Sequence, residues 1–143
     1  MTVKLILQQK GGDVFTLAPT DSIEQATKEL ATRKVGALVV SDESQAILGI
    51  LSERDIVRAV ARMSDKALDE PVSALMTKNV TTCTEATTVT ELMSLMTEGR
   101  FRHLPVERDG KLIGIISIGD VVKRRIADIE QEAEQIKAYI AAV

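Results

Sequence analysis

The apolar residues change period along this chain, and the changes trace one series of elements twice. Residues 14–17 read as a short strand. Ile23, Ala26 and Leu30 then recur at helical spacing, which predicts a helix carrying all three on one face. Ser22-x-x-Gln25 at its start has the form of a capping box. Apolar runs at 37–40 and 47–51, separated by a polar turn, predict two strands, and a helix is expected to begin near Glu53. The series then restarts. A strand is predicted at 80–83, and a helix from the box Thr88-x-x-Glu91 with Val89, Leu92, Met93 and Met96 inward. Strands at 104–106 and 112–116 flank the hairpin signal Arg108-Asp109-Gly110, and a helix begins near Ile118.

The second pass is in register with the first. Asp13-Val14-Phe15-Thr16-Leu17 answers to Asn79-Val80-Thr81-Thr82-Cys83, Ser22-Ile23-Glu24-Gln25 to Thr88-Val89-Thr90-Glu91, and Val39-Val40 to Pro105-Val106. After a loop one residue shorter, Gly49-Ile50-Leu51-Ser52 answers to Gly114-Ile115-Ile116-Ser117, and Asp55 to Asp120. The expected architecture is therefore α/β in composition: two strand-helix-strand-strand-helix repeats related by a pseudo-two-fold, plus a C-terminal helix. One small sheet cannot cover both its faces, so the repeats are expected to pack on each other. The boundaries are placed at 8–70, 71–128 and a helical extension at 129–143, with the joint at Asp69-Glu70-Pro71-Val72.

Composition narrows the chemistry. Hydrophobic residues make up 45% of the chain, yet its only aromatics are Phe15, Phe101 and Tyr139. The core must be aliphatic, and a bound base would be held by aliphatic side chains and backbone. A net charge of −3 with scattered Lys and Arg argues against a nucleic-acid partner, which needs a basic stripe. With one Cys and one His there is no intrachain disulfide and no Cys/His zinc site, and no metal is expected. Cys83 is expected to be a small, half-buried strand residue. No apolar run reaches membrane-spanning length, which makes a cytoplasmic protein the expectation. Lys10-Gly11-Gly12 does not make a phosphate-cradling loop; it is expected to be a mobile turn before the first strand, in a place that could border a pocket. No nucleophile has an evident base beside it, so an enzyme is not expected.

The tail carries its own pattern. Val122, Ile126, Ile129, Ala133, Ile136, Ile140 and Val143 are spaced alternately four and three, a narrow heptad stripe. Such a helix either folds back on its own domain or pairs with another subunit.

Both repeats end their last strand alike, in Gly49-Ile50-Leu51-Ser52-Glu53-Arg54-Asp55 and Gly114-Ile115-Ile116-Ser117-Ile118-Gly119-Asp120. By itself Ser-x-x-Asp is a helix-capping device, with the acid complementing the helix dipole. Capping does not exclude ligand contact, because the same helix start suits a phosphate. Two in-register copies over residues 10–128 resemble the tandem cystathionine-β-synthase-type (CBS) domain pair. The resemblance implies a regulatory sensor that binds an adenine nucleotide (AMP, ADP, ATP, NAD(H) or S-adenosylmethionine) as ligand, with no cofactor required. It implies ribose contacts from Asp55 and Asp120, and phosphate contacts from Ser52, Ser117, Arg102, His103 and Arg54. Val14, Thr16, Val80, Thr82, Gly36, Ala37, Ile50 and Ile115 would line the base pockets. Arg102-His103 resembles the family's phosphate-contacting pair, while the first repeat has Gly36-Ala37 there, so any phosphate clamp is asymmetric. The family also implies a homodimer and an effector protein that the sequence does not name. The alternative is a structural adaptor that works through its C-terminal helix with empty clefts.

Overall fold

The structure, a computed structural model, describes residues 1–11 and 14–142. Gly12 of the expected turn, Asp13 of the repeat and Val143 of the heptad stripe lie outside the described residues.

Helix α1 (Val3–Lys10) precedes the first repeat, which comprises β1 (Thr16–Leu17), α2 (Ile23–Arg33), β2 (Ala37–Ser41), β3 (Ile47–Ser52) and α3 (Glu53–Met63). A 3₁₀ segment (Ser64–Asp69) and the short α4 (Val72–Leu75) lead into α5 (Val89–Gly99), β4 (His103–Arg108), β5 (Lys111–Ser117) and α6 (Ile118–Ala142). β1 runs parallel to β2, and β2 antiparallel to β3; β4 and β5 form a separate antiparallel pair. The capping box at Ser22 forms as expected, with Ser22 accepting from the Gln25 amide and Gln25 accepting from the Ser22 amide. Asp109 and Gly110 take positive φ angles of 52° and 76°, the backbone that a two-residue hairpin turn demands.

The expected box at Thr88 forms only by half, with Thr88 Oγ1 accepting from the Glu91 amide at 3.1 Å, and other expectations of the second repeat needed correction. The second repeat has no opening strand at 80–83; only Cys83 bridges to Val106. The Cys83 amide donates to the Pro105 carbonyl and the Glu107 amide to the Cys83 carbonyl, both at 2.9 Å. Pro105 stands where the first repeat has Val39 and has no N–H to extend that ladder backwards. Met93, expected on the inner face of α5, is 40% exposed, while Val89, Leu92 and Met96 are buried.

Each repeat has its own core, and each core borrows from the segment leading into the other repeat. Val3 and Ile6 of α1 are buried with Leu92, Leu104, Val106 and Ile116 of the second repeat. Val72 of α4 is buried with Leu17, Ile23, Leu30 and Leu51 of the first, and Leu75 and Met76 pack on that cluster. The hydrogen bonds repeat the exchange: the Val3 amide donates to Thr87 at 2.9 Å, and the Val72 amide to Asp21 at 2.7 Å. The pseudo-two-fold therefore relates α1 to α4 as well as repeat to repeat.

The tail of α6 does not fold back. Ile126, Ile129, Ile136 and Ile140 remain 52%, 51%, 60% and 67% exposed, and Val121 is the buried residue of this helix. Among the described residues no helix is long and apolar enough to cross a membrane.

Candidate functional site

Each return strand delivers its Ser-x-x-Asp box to the start of a helix. In the first repeat the Ser52 amide and hydroxyl donate to Asp55 Oδ2 at 2.9 and 3.1 Å, and the Asp55 amide donates back to Ser52 Oγ at 3.3 Å. The second repeat matches it, with 2.9 and 3.0 Å to Asp120 Oδ2 and 3.2 Å to Ser117 Oγ. Both motifs are thus capping boxes, formed with Asp in the place of the usual Glu or Gln. The cap uses one carboxylate oxygen and leaves Oδ1 of each Asp for other work. It also engages the single serine proton, so Ser52 and Ser117 can donate to a phosphate only after their hydroxyls rotate.

Strand register sets the neighbours of these boxes. Ala37 pairs with Ser52, and His103 pairs with Ser117. The residue before each strand closes the helix start: the Glu53 amide donates to the Gly36 carbonyl at 2.9 Å, and the Ile118 amide to the Arg102 carbonyl at 2.8 Å. Gly36, Ala37, Ser52 and Asp55 are thereby brought together, as are Arg102, His103, Ser117 and Asp120. The side chains of Arg54 and Arg102 are exposed. Val14, Thr16, Val80 and Thr82 lie half-buried on the opening segments, with Thr16 paired to Val39.

His103 also reaches the other repeat. A Cβ built on Gly36 would lie 3.3 Å from its Cε1, so the imidazole occupies space that a side chain at position 36 would need. Burial pushes the His103 pKa below its ordinary value, and the charges of Lys10 and Arg102 push the same way, against Asp120 and Glu53. It is therefore a neutral imidazole near pH 7, between the starts of α3 and α6.

The two sites differ in what covers them. The Thr77 hydroxyl reaches Asp55 Oδ1 at 3.4 Å, and Thr77 exchanges both backbone hydrogen bonds with Ile50, at 3.0 and 2.9 Å. Over the second site lies Lys10, whose ammonium donates to Asp120 Oδ2 at 2.8 Å and to the Ile115 carbonyl at 2.9 Å. Burial would raise the Asp120 pKa, but the hydrogen bonds from Lys10 and Ser117 outweigh it and hold the carboxyl below its usual range. A cavity of about 190 Å³ adjoins the pair, lined by Ile6, Gln9, Lys10, Asp120, Lys123 and Arg124 among others.

Sequence reasoning missed Thr77 and took Lys10 for part of a turn. The available signal was length: three more residues separate Leu7 from Val14 than separate Met76 from Val80, and Lys10 is among them. Cys83 is buried, its thiol donating to the Pro105 carbonyl at 3.6 Å, and burial with the charge of Glu107 pushes its pKa up to about 12. Such a thiol is inert at neutral pH. Among the described residues no cluster of His, Cys, Asp and Glu would hold a metal ion.

Comparison with known proteins agrees with the repeat. The family profile described as CBS domain matches residues 10–62 and 72–127. A 17.7 kDa protein of Acidianus ambivalens is 39% identical over 130 residues, 87% of this chain and 77% of that one. Several curated Arabidopsis thaliana relatives are much longer, and the chain spans about a quarter of their length. Among solved structures, the CBS-domain protein Atu1752 of Agrobacterium tumefaciens superposes with a TM-score of 0.84 at 51% identity, covering 87% of this chain and 99% of that one. CBSX2, solved in complex with AMP, gives 0.75 at 28% identity over 88% of this chain and 96% of its own. The CBS pair of MJ0100, solved with 5′-methylthioadenosine and S-adenosyl-L-methionine, gives 0.77 at 27% over 86% and 98%.

Proposed function

The chain belongs to the CBS domain family, and from that premise we propose that it is a regulatory module that binds an adenine nucleotide and acts through binding, without catalysis. The observation that carries the reading is the pair of Ser-x-x-Asp boxes, each with one carboxylate oxygen left outside its cap. A ribose diol offers two hydroxyl donors, and a carboxylate accepts both. Asp55 and Asp120 hold the ribose of a ligand in the first and second site. Ser52 with Arg54, and Ser117 with Arg102 and His103, face its phosphate. Val14, Thr16, Gly36, Ala37, Ile50, Val80, Thr82 and Ile115 border the base. Adenosine-based ligands in the solved relatives CBSX2 and MJ0100 support the class, and AMP, ADP, ATP, NAD(H) and S-adenosylmethionine are all candidates. The ligand-binding units are the repeats at 8–70 and 71–128.

The module works in the cytoplasm as a homodimer and signals to a partner protein. The exposed stripe of α6 supports the dimer, and its flanking charges favour a parallel, in-register pair. In that arrangement Arg125 faces Glu130 of the second copy and Glu132 faces Lys137, all opposite in sign. The test is a thermal melt with each candidate ligand, backed by mass spectrometry of small molecules released from the purified protein. A ligand at a hundred times its Kd stabilises by about 2.7 kcal/mol. Unchanged melting with all five at millimolar concentration, and nothing released, would leave the structural adaptor as the function.

A further inference from the structure

In the second repeat the Lys10 ammonium donates to Asp120 Oδ2 and to the Ile115 carbonyl, at 2.8 and 2.9 Å. We propose that Lys10 is part of the second ligand site: its ammonium neutralises Asp120 in the empty protein and transfers to the ligand's phosphate on binding, so that this site takes phosphorylated adenosines and rejects the uncharged nucleoside. The inference rests on Asp120 as a ribose contact.

Anchoring comes first. Val3 and Ile6 are buried in the second core, which fixes α1 and with it the backbone of Lys10. The Lys10 side chain is partly exposed, and its flexible four-carbon stem lets the ammonium move while the helix stays. Next comes asymmetry. Leu7 over Gly114 and Met76 over Gly49 are equivalent contacts of the two leading segments, but only α1 continues for the extra residues that carry Lys10. The first site receives the neutral Thr77 hydroxyl instead. The two sites therefore differ by one positive charge at the ribose position.

Charge balance decides the selectivity. A ribose that uses both oxygens of Asp120 takes Oδ2 from Lys10 and leaves that half-exposed ammonium unpaired where Arg102 is the other cation acting on His103. A phosphate supplies the replacement, while ribose hydroxyls satisfy Asp120, so both charges stay paired throughout. Adenosine satisfies only Asp120. It must separate the ion pair and return nothing to Lys10.

Calorimetric titration of the full chain with AMP and with adenosine tests this, in an Asp55→Asn background that leaves only the second site to be read. Lys10→Met should weaken AMP about tenfold, the scale of one lost charge-assisted hydrogen bond, and tighten adenosine, so the preference for AMP collapses. Lys10→Arg, which keeps the charge, should retain the preference and shows that the first variant's loss is not misfolding. Equal tightening of both ligands by Lys10→Met would make Lys10 a mere plug and overturn the proposal, as would unchanged affinities. An unmutated protein that binds no adenine nucleotide would overturn the functional reading together with this inference.

Discussion

The carbonyl of Thr77 passes so close to Gly49 that a Cβ there would lie 2.8 Å from it, and 2.7 Å from Met76 Sδ. At the pseudo-equivalent Gly114 the nearest atoms a Cβ would meet belong to the Leu7 side chain, a terminal methyl at 2.6 Å first. Each leading segment thus crosses the other repeat at a glycine, but with backbone in one case and a side-chain tip in the other.

That difference predicts unequal costs. Gly49→Ala forces the paired Ile50–Thr77 backbone apart and should destabilise by about 1–3 kcal/mol. Gly114→Ala needs only a rotamer change of Leu7 or a small shift of α1, and should cost less. Urea unfolding of both variants measures it, and an equal loss would mean that α1 is held as rigidly as α4.

Asp120→Asn and Asp55→Asn separate the cap from the ligand site. Asn keeps an acceptor for the Ser amide, so Asp55→Asn should change the stability of the empty protein by less than about 1 kcal/mol, and Asp120→Asn by up to about 1 kcal/mol more through the lost, half-exposed Lys10 pair. Bonds to a charged acceptor are worth about 1.5–3 kcal/mol, so nucleotide affinity should fall tenfold or more. Calorimetry with a melt of each variant decides; early melting with normal binding would reduce the motif to a cap. A loss at Asp120 alone would mean one working site.

The lowered pKa of His103 makes stability depend on pH. The folded chain keeps the imidazole neutral while the unfolded chain titrates near 6.5, so the unfolded state binds more protons just below that value. Stability should therefore be full above about pH 6.5 and decline as the pH falls toward the lowered value, by at most about 1.4 kcal/mol per pH unit for one proton. Denaturant unfolding across this range shows the slope. His103→Asn should flatten it, and an unaltered slope would assign the effect elsewhere.

Deleting 130–143 should leave both cores folded, because none of their buried residues lies in the tail. Sedimentation should then show a weaker dimer than the full chain forms, since an isolated helix of this length is marginal and needs a partner. Unchanged association would move the interface to the body of the repeats.

Periodicity, capping boxes and the in-register Ser-x-x-Asp motifs determined the repeats, the helix starts and the four Ser and Asp positions, because all of these follow from contacts within a few residues. The turn at Asp109-Gly110 was legible for the same reason. Tertiary structure decided the rest. Pro105 removed the opening strand of the second repeat through a hydrogen bond it would have had to donate to a distant segment. The exposure of the α6 stripe depended on whether any surface of the domain lay beneath it, which spacing does not encode. Lys10 reads as an ordinary charge before two glycines, and only the exchange of leading segments between repeats brings its ammonium to Asp120. Charge pairing across such a separation is set by how the two cores share α1 and α4, and that sharing is written in no local pattern.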